Sequence, residues 1–219
     1  MPNAVNITLD EARELVSNRL LWPRVSEFLW DFAPQVHESW LEPKQLSLRD
    51  SPRVKRYILE SLGVEPCFHT FPKEDGSRIL LLDGATLESA AKWLGALACA
   101  ESLRRVTSGE VVRELKSKLR GIYPEVFSYT AYFSGLDSSH RDTEAQSEKL
   151  SDCVVGLGYS LLYSAVSSLP EALLHRLKCK LPKQDAPRLC ASALKEDVPR
   201  AAVLKLFKLK FPEAYKLCC

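Results

Sequence analysis

The chain has 219 residues, of which 46% are hydrophobic and 26% charged, with a formal net charge of +2; this is the composition of a folded chain long enough to bury a sizeable core. No apolar run approaches the ~20 residues that cross a bilayer, and the start, MPNAVNITLDEARELV, has neither the basic head nor the apolar stretch of a signal peptide. Seven cysteines, an odd number without such a signal, are expected to be reduced thiols in a cytoplasmic protein rather than a disulfide framework.

Thr8 with Glu11 forms a capping box and predicts a first helix carrying Ala12, Leu15, Val16 and Leu20. Pro23 opens a second, whose Val25, Phe28, Leu29 and Phe32 fall at i, i+3, i+4 and i+7. Pro34 and Pro43 bracket an irregular stretch containing Trp40. Ser51-Pro52 reads as a cap and first turn, with Val54, Tyr57, Ile58 and Leu62 leading to Gly63 as C-cap. Residues 64–77 read as a loop with an Asp75-Gly76 turn. Ile79–Leu82 is the one good strand candidate, although so short a run cannot be told from a buried helical turn.

From Leu80 to Phe133 three helices are closely punctuated. Thr86 is placed to cap the first, in which Leu87, Ala90, Ala91, Leu94, Leu97 and Ala98 recur at helical spacing. Thr107 and Glu110 form a capping box for the second, whose stripe is Val111, Leu115 and Leu119 and whose stop is Gly121. Pro124 fits the first turn of a third short helix with Val126, Phe127, Tyr132 and Phe133. The polar SGLDSSHRDTEAQSEK that follows reads as a surface loop. It divides an N-terminal part, 1–134, from a C-terminal helical bundle, 144–219, with the two expected to pack as one globular unit.

In that bundle Leu150, Val154, Leu157, Leu161 and Ala165 step through a long core helix, and Gly156 and Gly158 suggest a neighbour packed close or a kink. Ser168 with Glu171 reads as the next cap, ahead of an inner face of Leu173, Leu174, Leu177 and Leu181. Helices from Pro187 to Lys195 and from Pro199 to Lys210 follow, then a terminal turn from Pro212. LPEALLHRLKCKLP and VPRAAVLKLFKLKFP resemble each other 29 residues apart, too few copies for a solenoid. The fold class is all-α, a multi-helix orthogonal or bundle-like domain, with one short strand or hairpin admitted near residues 65–82.

The run KWLGALACAESLRRVTSGEVVRELKSKLRGIYPEVFSYTAYF, with LPEALLHRLKCKLP and FPEAYKLC in the tail, resembles the type III secretion K-subunit family (SctK, with YscK, PscK, MxiK and OrgA as relatives). The resemblance covers the last two thirds of the chain and rests on apolar, Pro and Gly positions. It implies a non-enzymatic adaptor of the injectisome sorting platform, without a cofactor. Such an adaptor links the cytoplasmic domain of an SctD-like inner-membrane ring protein to an SctQ-like pod protein. No nucleic acid, small-molecule substrate or membrane insertion is implied. The location would be the bacterial cytoplasm, at the inner membrane's cytoplasmic face through protein contacts.

Charge is unevenly spread: residues 169–219 hold 11 Lys/Arg against 5 Asp/Glu, whereas residues 1–168 hold 19 against 23. A solvated helical face explains this, as does a basic surface for an acidic partner; a helical nucleic-acid-binding module is the alternative, opposed by the near-neutral total. Lys205, Lys208 and Lys210 are expected on or near that exposed face. Arg104 and Arg105 close a helix, where cations complement its dipole, or meet a partner's carboxylate. Trp93 lies a quarter turn off the apolar stripe, so it flanks the core or faces a partner. These six are the candidate partner-binding residues.

Catalytic and metal sites fare poorly. Cys67 and His69 lie two apart in a loop, a separation that rarely gives nucleophile–base geometry. There is no CxxC or paired-His spacing for zinc, and LDGAT and VGLGYS lack the Lys of a phosphate loop. Cys218 and Cys219 are expected to be exposed thiols.

Overall fold

Pro23 and the apolar spacing behind it produce the helix labelled α1 (Leu21–Trp30) in the computed structural model. The structure describes residues 16–67, 69–133, 150–190 and 196–219, with Arg13 and Leu136. Among the described residues are ten α-helices joined by 3-10 turns, and no strand. After α1 come α2 (Pro43–Ser47), α3 (Pro52–Ser61), α4 (Gly84–Ala98), α5 (Ala100–Arg104) and α6 (Gly109–Lys118). The second half supplies α7 (Leu150–Ser164), α8 (Glu171–Lys180), α9 (Asp197–Lys210) and α10 (Pro212–Cys218). Contacts group the chain into a first unit, Met1–Gly84 with Ser168–Ala186 and Glu213–Cys219, and a second, Ala85–Ser167 with Pro187–Pro212. Each draws residues from both sides of the polar stretch after Phe133.

In the first unit the predicted stripe of α1 is inside: Val25, Phe28 and Phe32 are fully buried and Leu29 nearly so. Phe28 meets Phe32 and Phe71 edge-to-face, with ring centroids 5.4 and 5.6 Å apart. Leu173, Leu174, Leu177 and Leu181 of the α8 segment are buried as their spacing predicts. The irregular stretch around Trp40 is pinned to α8, since the amide of His37 donates to Cys179 O (2.8 Å) and the Trp40 indole to Leu181 O (2.9 Å). Arg49 donates to the carbonyls of Ala33, Pro34 and Val36 around a 3-10 turn (Ala33–Gln35), sharing Ala33 O with the Val36 amide.

Ile79–Leu82 is not a strand. Gly76, with φ of 75°, and the Asp75 carboxylate, which accepts from the Ser77 amide at 2.7 Å, start a 3-10 turn over Ser77–Leu81. All five of its residues are buried, and internal i→i+3 bonds satisfy amides that a lone strand would leave unpaired. The loop before it is tightly built. Phe71 has φ of 54°, a left-handed conformation that costs a non-Gly residue about 1–2 kcal/mol. Complete burial of its ring and the Arg78 Nε donating to its carbonyl (2.8 Å) hold it there.

The second unit is built on α4 and α7. Leu87, Ala90, Ala91, Leu94, Leu97 and Ala98 are buried, as are Leu150, Val154, Leu161 and Ala165, with Leu157 half-buried. The α4 and α7 backbones approach so closely that a Cβ on Gly158 would fall 1.9 Å from Ala91 O, and one on Gly95 1.9 Å from Val154 O. Gly158 therefore does what its sequence context predicts. Gly156 does not, since a Cβ there meets only Arg188 Cδ at 3.9 Å. On α6, Val111 and Leu115 are buried with Leu119 beyond, and Gly121 follows with φ of 71°.

Several predicted caps fall at different residues. The first central helix starts at Gly84, ahead of Thr86. The N-cap of α6 is Ser108, which puts the Thr107–Glu110 box one residue out of register, and the N-cap of α8 is Pro170 rather than Ser168. Ser51 does sit at the N-cap of α3, but without a side-chain cap bond. First-turn acids take over much of this work: Glu110, Glu171, Asp197 and Glu213 face the positive ends of α6, α8, α9 and α10. The helix expected after Pro124 is instead two 3-10 turns, Glu125–Ser128 and Thr130–Phe133. Their i→i+3 bonds, Tyr129 N to Val126 O and Tyr132 N to Tyr129 O, go with Val126 and Phe133 buried and Tyr132 exposed. Tyr57 of α3 is likewise exposed. Of the expected 187–195 helix the structure shows a 3-10 turn at Ala186–Arg188, residues 191–195 lying outside the described residues. The Thr8–Glu11 box also lies outside them, as does most of the polar stretch after Phe133.

Candidate partner-binding site

The last turn of α9 carries Lys210 onto an aromatic surface. Its Nζ lies 4.7 Å from the Trp93 ring centroid and 4.1 Å from that of Tyr129, and it pairs with the Glu125 carboxylate. Trp93 and Tyr129 meet edge-to-face at 5.8 Å, and Trp93 is 6% exposed. Burial alone would lower the Lys210 pKa; hydrogen bonds to Glu125 and Tyr129 outweigh it and hold the ammonium above the ordinary lysine value. Lys210 is thus turned inward, with its side chain 16% exposed, and lies near the exposed face rather than on it. Lys205 is exposed, with Nζ 5.7 Å from the Phe133 ring, and Lys208 is exposed too.

Arg104 ends α5, separated from α4 by a break at Cys99. Its guanidinium donates to Thr130 Oγ1 (2.9 Å) and lies 5.6 Å from the Phe127 ring. It therefore ties α5 to the two turns that follow Pro124. Arg105 points outward, its side chain 77% exposed and 3.2 Å from Glu101. The two adjacent arginines have different environments, and Arg105 has the more open one.

Two cations that the charge pattern alone did not single out are buried in the first unit. Arg176 is 2% exposed and Lys180 1%. Arg176 lies over Phe28 and Phe32, 5.5 and 5.0 Å from their centroids, and donates to Phe28 O and to Glu65 O (3.0 Å). Lys180 lies 5.2 Å from the Phe28 centroid and donates to Leu80 O at 2.7 Å. Burial lowers the pKa of both. The signal was present in the sequence, because they stand at i+3 and i+7 from Leu173, on the apolar stripe itself. The two similar segments 29 residues apart fall one in each unit, and both lay cations on aromatic rings.

The loop pair is not assembled as a dyad. His69 Nε2 faces Asp75 Oδ2 at 2.8 Å and its ring abuts Phe71. Burial pushes the Asp75 carboxyl up, but hydrogen bonds from His69 and Ser77 prevail and hold it below the usual range. Burial pushes the Cys67 thiol up, against the pull of Arg176, which makes it a poor nucleophile near neutral pH. Cys218 is buried and its thiol pushed up to about 12, mainly by that burial, so only Cys219 of the terminal pair is exposed.

Leu62, Gly63 and Glu65 face Glu171, Ala172 and His175 across an open cleft of about 400 Å³, with His175 Nε2 2.8 Å from Leu62 O. Among the described residues no group of three or more His, Cys, Asp or Glu is placed to hold a metal ion, and no helix is long and apolar enough to cross a membrane.

The fold is that of an all-helical protein in which cations on aromatic rings and carbonyls tie the elements within each unit. The family model for YOP proteins translocation protein K (YscK) matches residues 25–218. The chain belongs to the YscK family of type III secretion components. The match begins well ahead of the stretch on which the sequence resemblance rests, at the stripe of α1. No curated protein and no solved structure matches the chain.

Proposed function

We propose that the chain is a non-enzymatic adaptor of the cytoplasmic sorting platform of a bacterial type III secretion machine. It joins the cytoplasmic domain of an SctD-like inner-membrane ring protein to an SctQ-like pod protein. The observation that carries this reading is the family match over residues 25–218. An adaptor acts by positioning, and the ionisable groups inside both units are engaged in holding structure: Arg176 and Lys180 in the first, Lys210 and Arg104 in the second. The protein works in the bacterial cytoplasm, held at the inner membrane through protein contacts. Its partners are proteins, and its role involves neither nucleic acid, a small-molecule substrate nor insertion into the bilayer.

Of the six candidate contact residues, Arg105, Lys205 and Lys208 offer cations to a partner's carboxylates, Arg104 is exposed but tied to Thr130, and Trp93 and Lys210 support the surface from beneath. The test is co-purification of a tagged copy from a type III secreting bacterium, with mass spectrometry of what accompanies it. Recovery of ring and pod proteins together supports the adaptor. Recovery of neither from cells with assembled machines refutes it. Arg105→Glu with Lys208→Glu should reduce recovery of one partner without unfolding the chain.

A further inference from the structure

An ammonium group taken out of water is costly unless an opposite charge or a full set of acceptors replaces the water. Lys180 is 1% exposed, and among the described residues no carboxylate pairs with it. Among the described residues its polar head meets one carbonyl, Leu80 O, and the face of Phe28. Burial is the largest influence on it, and the charges around it, at a distance, do not offset that cost. Glu27 and Arg24 act on it from α1 with opposite signs, and Asp83, just past the Ser77–Leu81 turn, favours its charge. Arg176, one turn earlier on α8, lies over the same Phe28 ring and is a second cation. Of those two, only Lys180 can give up its proton, because a guanidinium stays charged in proteins. There is little room to adjust, since a Cβ on Gly84 would fall 2.5 Å from Lys180 O.

We propose that Lys180 is a proton-operated clamp within the first unit: uncharged, its amine fastens α8 to the Ser77–Leu81 turn, and protonated, it loosens that attachment. The neutral amine still donates to Leu80 O and no longer carries an unpaired charge into the core. Burial lowers its pKa from 10.5 to about 7. Between those values the opened state binds a proton that the closed state does not, so closure strengthens as pH rises. Below the lower value both states carry the proton, above the higher one neither does, and the dependence flattens at both ends.

Hydrogen exchange of the full-length chain, corrected for intrinsic rates, tests this. In the wild type the opening constant for amides of the Ser77–Leu81 turn and the second half of α8 should fall roughly 100-fold between about pH 6 and pH 9. Lys180→Met should show no such trend. Protection that does not change with pH in the wild type, or that rises equally in the variant, overturns the clamp. Should the variant fail to fold, the lysine ¹³Cε resonances of the wild type decide. One titrating near neutrality supports the proposal, and titration of all of them near the ordinary lysine value overturns it.

Discussion

Two glycines two residues apart on α7 should respond with opposite sign to the same substitution. Replacing glycine by alanine inside a helix removes a backbone-entropy penalty and contributes about 1 kcal/mol. At Gly156 that gain should survive, because the nearest heavy atom to the new methyl is Arg188 Cδ at 3.9 Å, an ordinary contact at the end of a flexible side chain. At Gly158 the methyl would fall 1.9 Å from Ala91 O, 2.7 Å from Ala91 C and 3.0 Å from Gly95 N. All three are backbone atoms of α4 and cannot turn aside. Restoring normal separation means parting the helices by about 1.3 Å, enough to forfeit much of the dispersion attraction between their facing side chains. Overpacking of this kind costs about 3 kcal/mol or more, so Gly158→Ala should lose about 2–3 kcal/mol net of the helical gain. Gly156→Ala should gain about 0.5–1 kcal/mol.

Urea denaturation of the full-length variants measures both. Gly95→Ala, whose methyl would fall 1.9 Å from Val154 O, supplies a further check. The first methyl already forces the helices apart, so the double variant should cost less than the sum of the singles, by about 1 kcal/mol. Equal stability of the Gly156 and Gly158 variants, or strict additivity of Gly95 and Gly158, would refute the interlock.

Thiol labelling should separate the cysteines by environment. Cys153, Cys190 and Cys219 should alkylate fast, while Cys179 and Cys218, pushed up to about 11 and about 12 chiefly by burial, should label only on unfolding, as followed by mass spectrometry at neutral pH. Labelling of Cys67 ahead of Cys219 would contradict the environment described. Lys210→Met should cost about 1–2 kcal/mol in thermal or urea unfolding, because it removes the Glu125 pair and two ring contacts, whereas Lys208→Met should be neutral. Equal effects at the two positions would show that the cluster does not hold α9.

The helices themselves were legible because apolar spacing and proline act over short distances. Val25 and Phe28 on α1, or Leu173 and Leu177 on α8, need only a core somewhere on one side to be buried as observed. The caps were less legible, because a hydroxyl one residue away serves equally well on paper; whether Thr107 or Ser108 sits at a helix end depends on how the chain enters from the preceding turn. Ile79–Leu82 failed as a strand for a long-range reason, the lack of a described neighbour to pair with, which four residues cannot reveal. Gly95 went unnoticed because a glycine among alanines and leucines looks like a small core residue. Its role exists only where the carbonyl of Val154 arrives from α7.

The candidate site was the least legible part, and the cause is specific. A surplus of lysine and arginine invites the inference of a basic surface, on the assumption that cations lie outside. In the last 51 residues that assumption breaks at Arg176 and Lys180, whose side-chain heads are buried against ring faces and carbonyls, and at Lys210, neutralised by Glu125 and folded against Trp93. Arg200 and Lys216 pair with Glu196 and Glu213. The surface therefore carries much less positive charge than the count implies, which weighs against a nucleic-acid groove and equally against a broad electrostatic dock. What remains is an assortment suited to protein contact. It includes open cations such as Arg105 and Lys208, and, in the first unit, exposed Trp30, Tyr57 and Leu48. Isolated aromatic anchors and a few charges make specific interfaces when a partner brings the complementary shape. If the chain is the adaptor proposed above, its recognition code lies in the position of individual side chains on helices, a property fixed by packing inside each unit, where several of the cations are held.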